Sequence, residues 1–471
     1  MKTNTRRIPW IFTLGVILLL AACYVPGISP AATPESPTSP PAMPSQFPTQ
    51  AAATESVPPT EVAKVPTPSP TSPPPTPTET ELPTQEEPPV PPIPTPALGP
   101  AIDHFPAGQK INITQIEMID PLQGWGIGST NNSNDHVFRT QDGGTKWKDV
   151  TPPEPDPGAG VVLHAAAAFR GMSYAWVIYS QDAQAGPSNP ALVWYTSDGG
   201  NSWNYGMLDL STIMYQFFIP THLVFIDNLT GWMLAHVGAG MMHDYITIAA
   251  TTDGGLTWQF VLEPNSEANI LSCSKNGMAF VDAKNGWVSV ECNGVYPHPY
   301  LYRTSDGGFT WQELNMPAPP ATTDFFDNYA CGTYYPTLFS KTSAVFAMRC
   351  RDIATYKTQQ NYLYRTTDGG SNWQVNALPA DFTIPDYGGG LYFASEQEGL
   401  ALSRKIFKTA DGGQTWAKVR LVNWDAQFSF LDLNTAWAAA FDPVNYAGKY
   451  ALVNSTDGLV TLHMLTPVVG P

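Results

Sequence analysis

The sequence predicts an all-β protein, a seven-bladed β-propeller of four-stranded antiparallel blades, preceded by a disordered Pro/Thr/Ser-rich stalk. Short runs of alternating apolar residues, rich in Thr, Val, Tyr and Trp, favour strands throughout the second part of the chain. One octapeptide, here called the octamer, recurs between these runs. Its copies are TQDGGTKW at 140–147, TSDGGNSW at 196–203, TTDGGLTW at 251–258, TSDGGFTW at 304–311, TTDGGSNW at 366–373 and TADGGQTW at 409–416, with a variant STDGLVTL at 455–462.

The repeat unit contains four short strands. In the first unit we expect them at 113–119, 125–129, 136–140 and 146–150, and no amphipathic helix is evident in any unit. A four-stranded sheet exposes two apolar faces, and stacking seven such sheets in a ring buries both. A small residue followed by an apolar one marks the second strand: Gly124-Trp125, Ala175-Trp176, Gly231-Trp232, Gly286-Trp287, Ala344-Val345, Gly399-Leu400 and Ala436-Trp437.

The octamer is predicted to form the turn between the third and fourth strands. Its Asp can accept hydrogen bonds from backbone N–H groups, its paired glycines allow positive φ, and its Trp anchors the returning strand. Because the variant copy has Leu459 and Leu462 in place of Gly and Trp, we expect a weaker turn there. The structural residues are therefore Asp142, Asp198, Asp253, Asp306, Asp368, Asp411 and Asp457, with Trp147, Trp203, Trp258, Trp311, Trp373 and Trp416.

The pattern T-x-D-x-G-x-x-W resembles the Asp-box, or BNR, repeat of sialidases, sortilin-type receptors, some glycoside hydrolases and photosystem II stability/assembly factors. With the upstream Gly-Trp marker, residues 110–465 are most similar to the assembly-factor family. The resemblance implies a propeller whose Asp-boxes are structural turns away from the active face. The resemblance suggests a scaffold or assembly role. Members of that family bind through a basic patch, whereas this chain is acidic, so we do not predict the same binding partner for it.

The N-terminus predicts export and lipid anchoring. Residues 1–22 combine Lys2, Arg6 and Arg7 with a short apolar run, as in a signal peptide. They lead into Leu-Ala-Ala-Cys at 20–23, which resembles a bacterial lipobox with Cys23 as the acylated residue; the alternative is an ordinary signal peptide with an incidental cysteine. We expect an extracytoplasmic protein, lipid-anchored to the bacterial cell membrane and facing outward.

Composition divides the remaining chain into two parts. Residues 23–98 hold 24 of the 47 prolines and are predicted to be a disordered linker that spaces the folded part from the membrane. Residues 99–471, the predicted propeller, carry 33 acidic and 19 basic side chains, a net charge of −14. This charge argues against nucleic acid as a partner. A monomer without a cofactor is expected.

Four further cysteines occur in two pairs with the same spacing. Residues 273–292 and 331–350 are both 19 apart and align without a gap. A hairpin would bring each pair together, so disulfides Cys273–Cys292 and Cys331–Cys350 are predicted in the oxidising exterior. Zinc is the alternative, but no C-x-x-C spacing is present and no metal site is predicted.

The longer connections are expected on the face opposite the octamers, mainly in units two to five. Their aromatic, Met and His residues suit recognition of a protein or glycan, although packing of the loops onto the ring is the alternative for each. The candidate binding residues are His243, Tyr245, Tyr296, His298, Tyr300, Phe325, Phe326, Tyr329, Tyr335 and Tyr387, in loops that also contain Met241, Met242 and Tyr334.

Two classes of function remain open. The preferred one is a non-catalytic binding or scaffold propeller, for which no catalytic residue is predicted. The alternative is an exo-sialidase or another glycoside hydrolase, which the Asp-box resemblance allows. Sialidases need three converging arginines and a Tyr–Glu pair. Here Arg139, Arg303 and Arg365 occupy one repeat position, and Arg-Ile-Pro occurs at 7–9, inside the signal peptide.

Overall fold

A computed structural model provides the structure of the chain. It describes residues 99–130, 133–158, 160–181, 190–240, 243–266, 270, 273–291, 299–319, 324–355, 358–385, 390–442 and 450–471, with the backbone only at 335 and 358–359. The predicted signal peptide, Cys23 and the predicted linker lie outside these residues.

Seven four-stranded antiparallel blades are formed within the described residues, as predicted. Blades one to three are β1 (Asn112–Met118), β2 (Gly124–Ser129), β3 (His136–Thr140) and β4 (Lys146–Asp149); β5 (Leu163–Arg170), β6 (Tyr174–Gln181), β7 (Ala191–Thr196) and β8 (Asn204–Leu208); and β9 (Ile219–Phe225), β10 (Gly231–Gly240), β11 (His243–Thr251) and β12 (Gln259–Leu262).

The remaining blades follow the same order. Blades four to seven are β13 (Ser274–Phe280), β14 (Gly286–Glu291), β15 (Tyr300–Thr304) and β16 (Gln312–Asn315); β17 (Tyr329–Leu338), β18 (Ala344–Asp352), β19 (Thr358–Thr366) and β20 (Gln374–Ala377); β21 (Gly390–Phe393), β22 (Gly399–Leu402), β23 (Lys405–Thr409) and β24 (Ala417–Leu421); and β25 (Asp425–Phe430), β26 (Ala436–Phe441), β27 (Tyr450–Ser455) and β28 (His463–Leu465). Blades four and five join into one eight-stranded sheet, because Glu291 of β14 pairs with Gly332 of β17.

Helices are short in the described part of the chain. The helix α1 (Phe325–Asn328) makes one turn before β17, and a 3-10 turn spans Leu210–Thr212. Among the described residues, no helix has the length and apolar character needed to cross a membrane.

Each octamer forms the expected turn between the third and fourth strands. In blade four the Thr304 hydroxyl donates to Asp306 Oδ1 (2.8 Å) and accepts from the Gly308 N–H (2.9 Å), while Asp306 Oδ1 also accepts from the Thr310 N–H (3.0 Å). Gly307 and Gly308 have φ of 87° and 102°, which a side chain would disfavour. In the variant turn Leu459 adopts φ 69°, at a cost of about 1–2 kcal/mol.

The octamers also connect neighbouring blades. The carbonyl of the first octamer glycine accepts a hydrogen bond from a side chain of the preceding blade at five of the seven junctions. These contacts are Arg139 to Gly199 (2.7 Å), Trp176 to Gly254 (2.7 Å), Trp232 to Gly307 (2.8 Å), Arg303 to Gly369 (2.5 Å) and Trp437 to Gly143 (2.9 Å).

The small residue of the second-strand marker makes room for an aromatic ring. Phe280 at the end of β13 stacks on Trp232 of the preceding blade, with ring centroids 3.8 Å apart. A Cβ on Gly286, its cross-strand partner, would lie 2.5 Å from the Phe280 ring. A glycine therefore allows the blade to bury this ring between sheets.

The ring closes where blade seven meets blade one, a contact here called the ring seam. After β28 the chain forms β29 (Val468–Val469), which pairs in parallel with β4 and bridges to Lys110. Trp437 and Leu452 of blade seven pack in one core cluster with Trp147 of blade one. The C-terminal strand therefore extends blade one.

Candidate binding face

The blades present two faces because their strands alternate in direction. The octamers and the turns between first and second strands lie on one, here called the octamer face. Connections between second and third strands, and between successive blades, lie on the opposite one, here called the loop face. The backbone N–H of the first octamer glycine donates a hydrogen bond to the turn between the first and second strands. In blade one, for example, the Gly143 N–H donates to the Leu122 carbonyl (2.8 Å). The octamer face is therefore occupied by structural contacts.

Three predicted binding residues are buried, so their assignment to an exposed surface is wrong. Tyr300 lies in the core between blades three and four, where its hydroxyl donates to Cys273 Sγ (3.2 Å). Phe325 and Phe326 are buried in the next core cluster, and Tyr329 stacks on Phe325 at 4.5 Å while half-buried. These rings pack an extended connection onto the ring, because burying a large aromatic surface stabilises the loop more than exposing it.

Two other predicted residues remain accessible on blade three. His243 is exposed and Tyr245 is half-buried, with ring centroids 6.2 Å apart at the start of β11. Met214 and Tyr215, in the connection from blade two to blade three, are also exposed, at 70% and 37%. These two residues were not predicted as binding residues, although an apolar pair between Leu210–Thr212 and β9 is a visible signal in the sequence.

The remaining predicted positions lie mainly outside the described residues. Tyr335 is described by its backbone alone. Those outside the described residues are Met241, Met242, Tyr296, His298 and Tyr387.

The three described cysteines lie in the loop-face half of blades four and five. Cys331 and Cys350 are directly opposed on β17 and β18 and form the predicted disulfide. Cys273 is also disulfide-bonded, whereas its predicted partner Cys292 lies outside the described residues.

Five of the eight arginines in residues 99–471 lie on the octamer face. Arg139 and Arg303 donate to octamer glycines as described above, and Arg365 donates to the Glu396 carbonyl. Arg420 donates to the Val460 carbonyl (2.8 Å). The backbone hydrogen bonds that Asp227 accepts lower its pKa, and the nearby charge of Arg170 lowers it further. Arg139, Arg303 and Arg365, which share one repeat position, thus all donate to backbone carbonyls of octamer-face turns.

The other arginines lie on blades five and six. Arg404 forms a bidentate pair with Asp425, with both distances 2.9 Å. Buried Arg349 contacts Glu291 (2.6 Å) and the Tyr334 hydroxyl (2.5 Å). Burial, and next the charge of Glu291, raise the pKa of Tyr334 well above its usual value. This is a Tyr–Glu–Arg grouping, but the Tyr334 side chain is buried among the residues between blades five and six.

A second buried polar network lies between blades three and four. Asp244 accepts from His236 Nδ1 (2.8 Å) and from the Lys275 N–H (2.9 Å). Burial lowers the pKa of Lys275 to about 8. In the described ranges, no three His, Cys, Asp or Glu side chains are grouped so that they could hold a metal ion.

Comparison with known proteins adds similarity at the level of the fold. No protein-family model matches the sequence, and no curated protein matches it. Solved structures similar to the chain include YCF48 bound to D1 peptide, at 16% identity over 72% of this chain and 96% of that one, with a TM-score of 0.46. YCF48 from Cyanidioschyzon merolae is 13% identical over 77% of this chain and 97% of that one, with a TM-score of 0.43. The GH74 xyloglucanase from Xanthomonas campestris is 13% identical over 77% of this chain and 55% of that one, with a TM-score of 0.46.

Proposed function

We propose that this protein is a surface-anchored, non-catalytic propeller that holds a protein or glycan partner on its loop face. The supporting observation is a set of accessible residues on the loop face of blade three, here called the blade-three patch: Met214, Tyr215 and His243 are exposed, and Tyr245 is half-buried. Methionine and aromatic side chains provide large apolar contact area with adaptable shape, as recognition surfaces require. The octamer face carries the inter-blade hydrogen bonds, so partner binding is assigned to the opposite side.

Partner capture by the full-length protein in mild detergent tests this proposal. We expect Met214→Ser/Tyr215→Ser to reduce recovery of the partner from the source membrane fraction, quantified by mass spectrometry. Leu256→Ser/Phe309→Ser is the matched control, because these octamer-face residues are similarly exposed, at 55% and 49%. Loss of the partner in the control variant alone would place the binding surface on the octamer face and contradict the proposal.

Anchoring through Cys23 is part of the same proposal. The lipobox-like Leu-Ala-Ala-Cys at 20–23 supports it. Cells grown with an alkyne-labelled fatty acid should yield labelled wild-type protein and unlabelled Cys23→Ser protein. Equal labelling of both would contradict acylation at this position.

A glycoside hydrolase is the second candidate, and the grouping of Tyr334, Glu291 and Arg349 favours it. A Tyr–Glu pair beside an arginine is the chemistry that a sialidase resemblance implies. Burial of Tyr334 and the use of five arginines on the octamer face support the non-catalytic proposal instead. Hydrolysis of a fluorogenic sialoside or glycoside that Tyr334→Phe abolishes would reverse the preference.

A further inference from the structure

An acidic cluster lies on the loop face between blades one and two. Asp135 comes from the connection between β2 and β3, and Glu154 from the connection between β4 and β5. Tyr179, near the end of β6, is only 7% exposed, and its hydroxyl has no hydrogen-bond partner among the described residues. Tyr179 is the cross-strand partner of Ala165, whose N–H donates to Asp135, and it packs in the same core cluster as Trp194, whose indole donates to Glu154. Both carboxylates are therefore bonded to neighbours of Tyr179. After burial itself, the charges of Asp135, Glu154 and Asp149 raise the pKa of Tyr179.

Asp149 is already hydrogen-bonded within this group. It accepts from His136 Nδ1 (2.8 Å), from the Thr151 hydroxyl (2.6 Å) and from the Phe105 N–H (2.9 Å). These contacts use both of its oxygens.

Asp135 and Glu154 keep free acceptor capacity. Asp135 accepts from the Ala165 N–H (3.0 Å), and His164 Nδ1 lies 3.5 Å from it. Glu154 accepts from Trp194 Nε1 (2.5 Å), and burial raises its pKa to about 7. Within the ranges that the structure describes, neither carboxylate forms an ion pair with a lysine or arginine.

The cluster is bordered by apolar side chains. Ile102, Leu163, Trp194 and Tyr179 belong to one buried core cluster between blades one and two. A cation that reaches the Tyr179 hydroxyl must therefore be carried on a slender apolar stem. The four methylene groups of lysine meet this requirement, whereas an amino sugar bears its amine directly on the ring.

We propose that Asp135, Glu154 and Tyr179 bind the side-chain ammonium of a lysine from a protein partner. The ammonium donates three hydrogen bonds, which matches two carboxylates and one phenolic oxygen. Charge-assisted bonds of this kind are strong where solvent is partly excluded. This inference rests on the proposed function, because it names the partner chemistry of the loop face.

A short lysyl peptide tests the inference on the full-length protein. Acetyl-Gly-Gly-Lys-Gly-Gly-amide is titrated while NMR follows the indole N–H of Trp194, which donates to Glu154; the indole of Trp437 at the ring seam is the internal reference. We expect a saturable shift of the Trp194 signal alone. Asp135→Asn and Glu154→Gln should each weaken binding by about tenfold, and Tyr179→Phe by several-fold. Asp156→Asn is the matched control, because it removes an exposed carboxylate from the same connection as Glu154.

The outcomes separate this inference from the proposed function. Equal binding of the Nε-acetyl-lysyl peptide or of glucosamine overturns the lysine assignment. If Asp156→Asn weakens peptide binding as much as Asp135→Asn and Glu154→Gln do, the proposed site is wrong and the peptide binds through general charge attraction. A wild-type protein that captures its partner but shows no lysine-dependent shift overturns the inference and leaves the proposed function standing.

Discussion

Trp437 of blade seven donates its indole N–H to the carbonyl of Gly143 in blade one, at 2.9 Å. The same contact joins blade two to three and blade three to four, through Trp176 and Trp232. The ring seam is thus held by the repeat's own inter-blade hydrogen bond as well as by β29. An octamer glycine contributes to this bond through its carbonyl, in addition to forming its own turn.

Trp437→Phe should lower the free energy of unfolding by about 1–3 kcal/mol, because it leaves the Gly143 carbonyl without its donor. Chemical denaturation of the two proteins measures the difference. Trp287→Phe is the control with the same loss of volume, since Trp287 is equally buried and its indole N–H bonds to no described residue. Equal destabilisation by both changes would show that the hydrogen bond is unimportant.

Gly286→Ala should destabilise the protein by about 1–3 kcal/mol, because the added methyl group overlaps the Phe280 ring. Gly240→Ala serves as control, as a Cβ there meets no atom within 4 Å. Thermal unfolding of both variants provides the comparison. A stable Gly286→Ala protein would mean that Phe280 can leave its stack on Trp232 at little cost.

The octamer aspartates should make the fold acid-sensitive. The Thr415 hydroxyl and N–H lower the pKa of Asp411 to about 2 from its usual value of 3.8. A lowered pKa contributes stability that is complete above 3.8 and is lost as pH falls towards 2. Asp411→Asn should therefore lower stability at pH 7 and reduce its pH dependence between 4 and 2. Asp103→Asn, at an exposed carboxylate, should change neither the stability at pH 7 nor its pH dependence. The measurement is the unfolding midpoint of each protein between pH 4 and pH 2.

Removal of the disulfide by Cys331→Ala/Cys350→Ala should cost about 3 kcal/mol, since the bond closes a loop of 19 residues in the unfolded chain. Denaturation with and without reductant measures this cost. Reductant should affect the double variant less than the wild type. An identical response of the two proteins would assign the effect to the disulfide of Cys273.

Glu154 should make stability fall as pH rises. Burial raises its pKa from 4.5 to about 7, so between these values the unfolded chain ionises while the folded protein keeps the proton. The loss should be about 1–3 kcal/mol by pH 7.5. Asp135, Asp149, His136 and His164 also face this region, so the measurement is the difference between wild type and Glu154→Gln. A parallel pH dependence in both proteins would contradict the assignment.

Much of the fold was predictable because each repeat carries its own local signals. In blade one the expected strand 113–119 is observed at Asn112–Met118, and 136–140 at His136–Thr140. Alternation defined these strands, and the Asp-Gly-Gly turn defined their ends. Ring closure was not predictable, since the parallel pairing of β29 with β4 joins segments more than 300 residues apart and has no local pattern.

The loop face was less predictable for the same physical reason. Tyr300 and Phe325 have the residue types of a recognition surface, but their burial depends on neighbouring blades that composition does not reveal. Asp135, Glu154 and Tyr179 come from three separate segments, so no spacing connects them. Their proximity appears only when blades one and two are stacked.

The pairing of Glu291 with Gly332 makes blades four and five a continuous plate within the ring. A Cβ at Gly332 would lie 3.0 Å from Glu291, so a glycine lets the two edges meet. We therefore expect slow motions of the ring to occur at the other junctions between blades, while blades four and five move together as one rigid body.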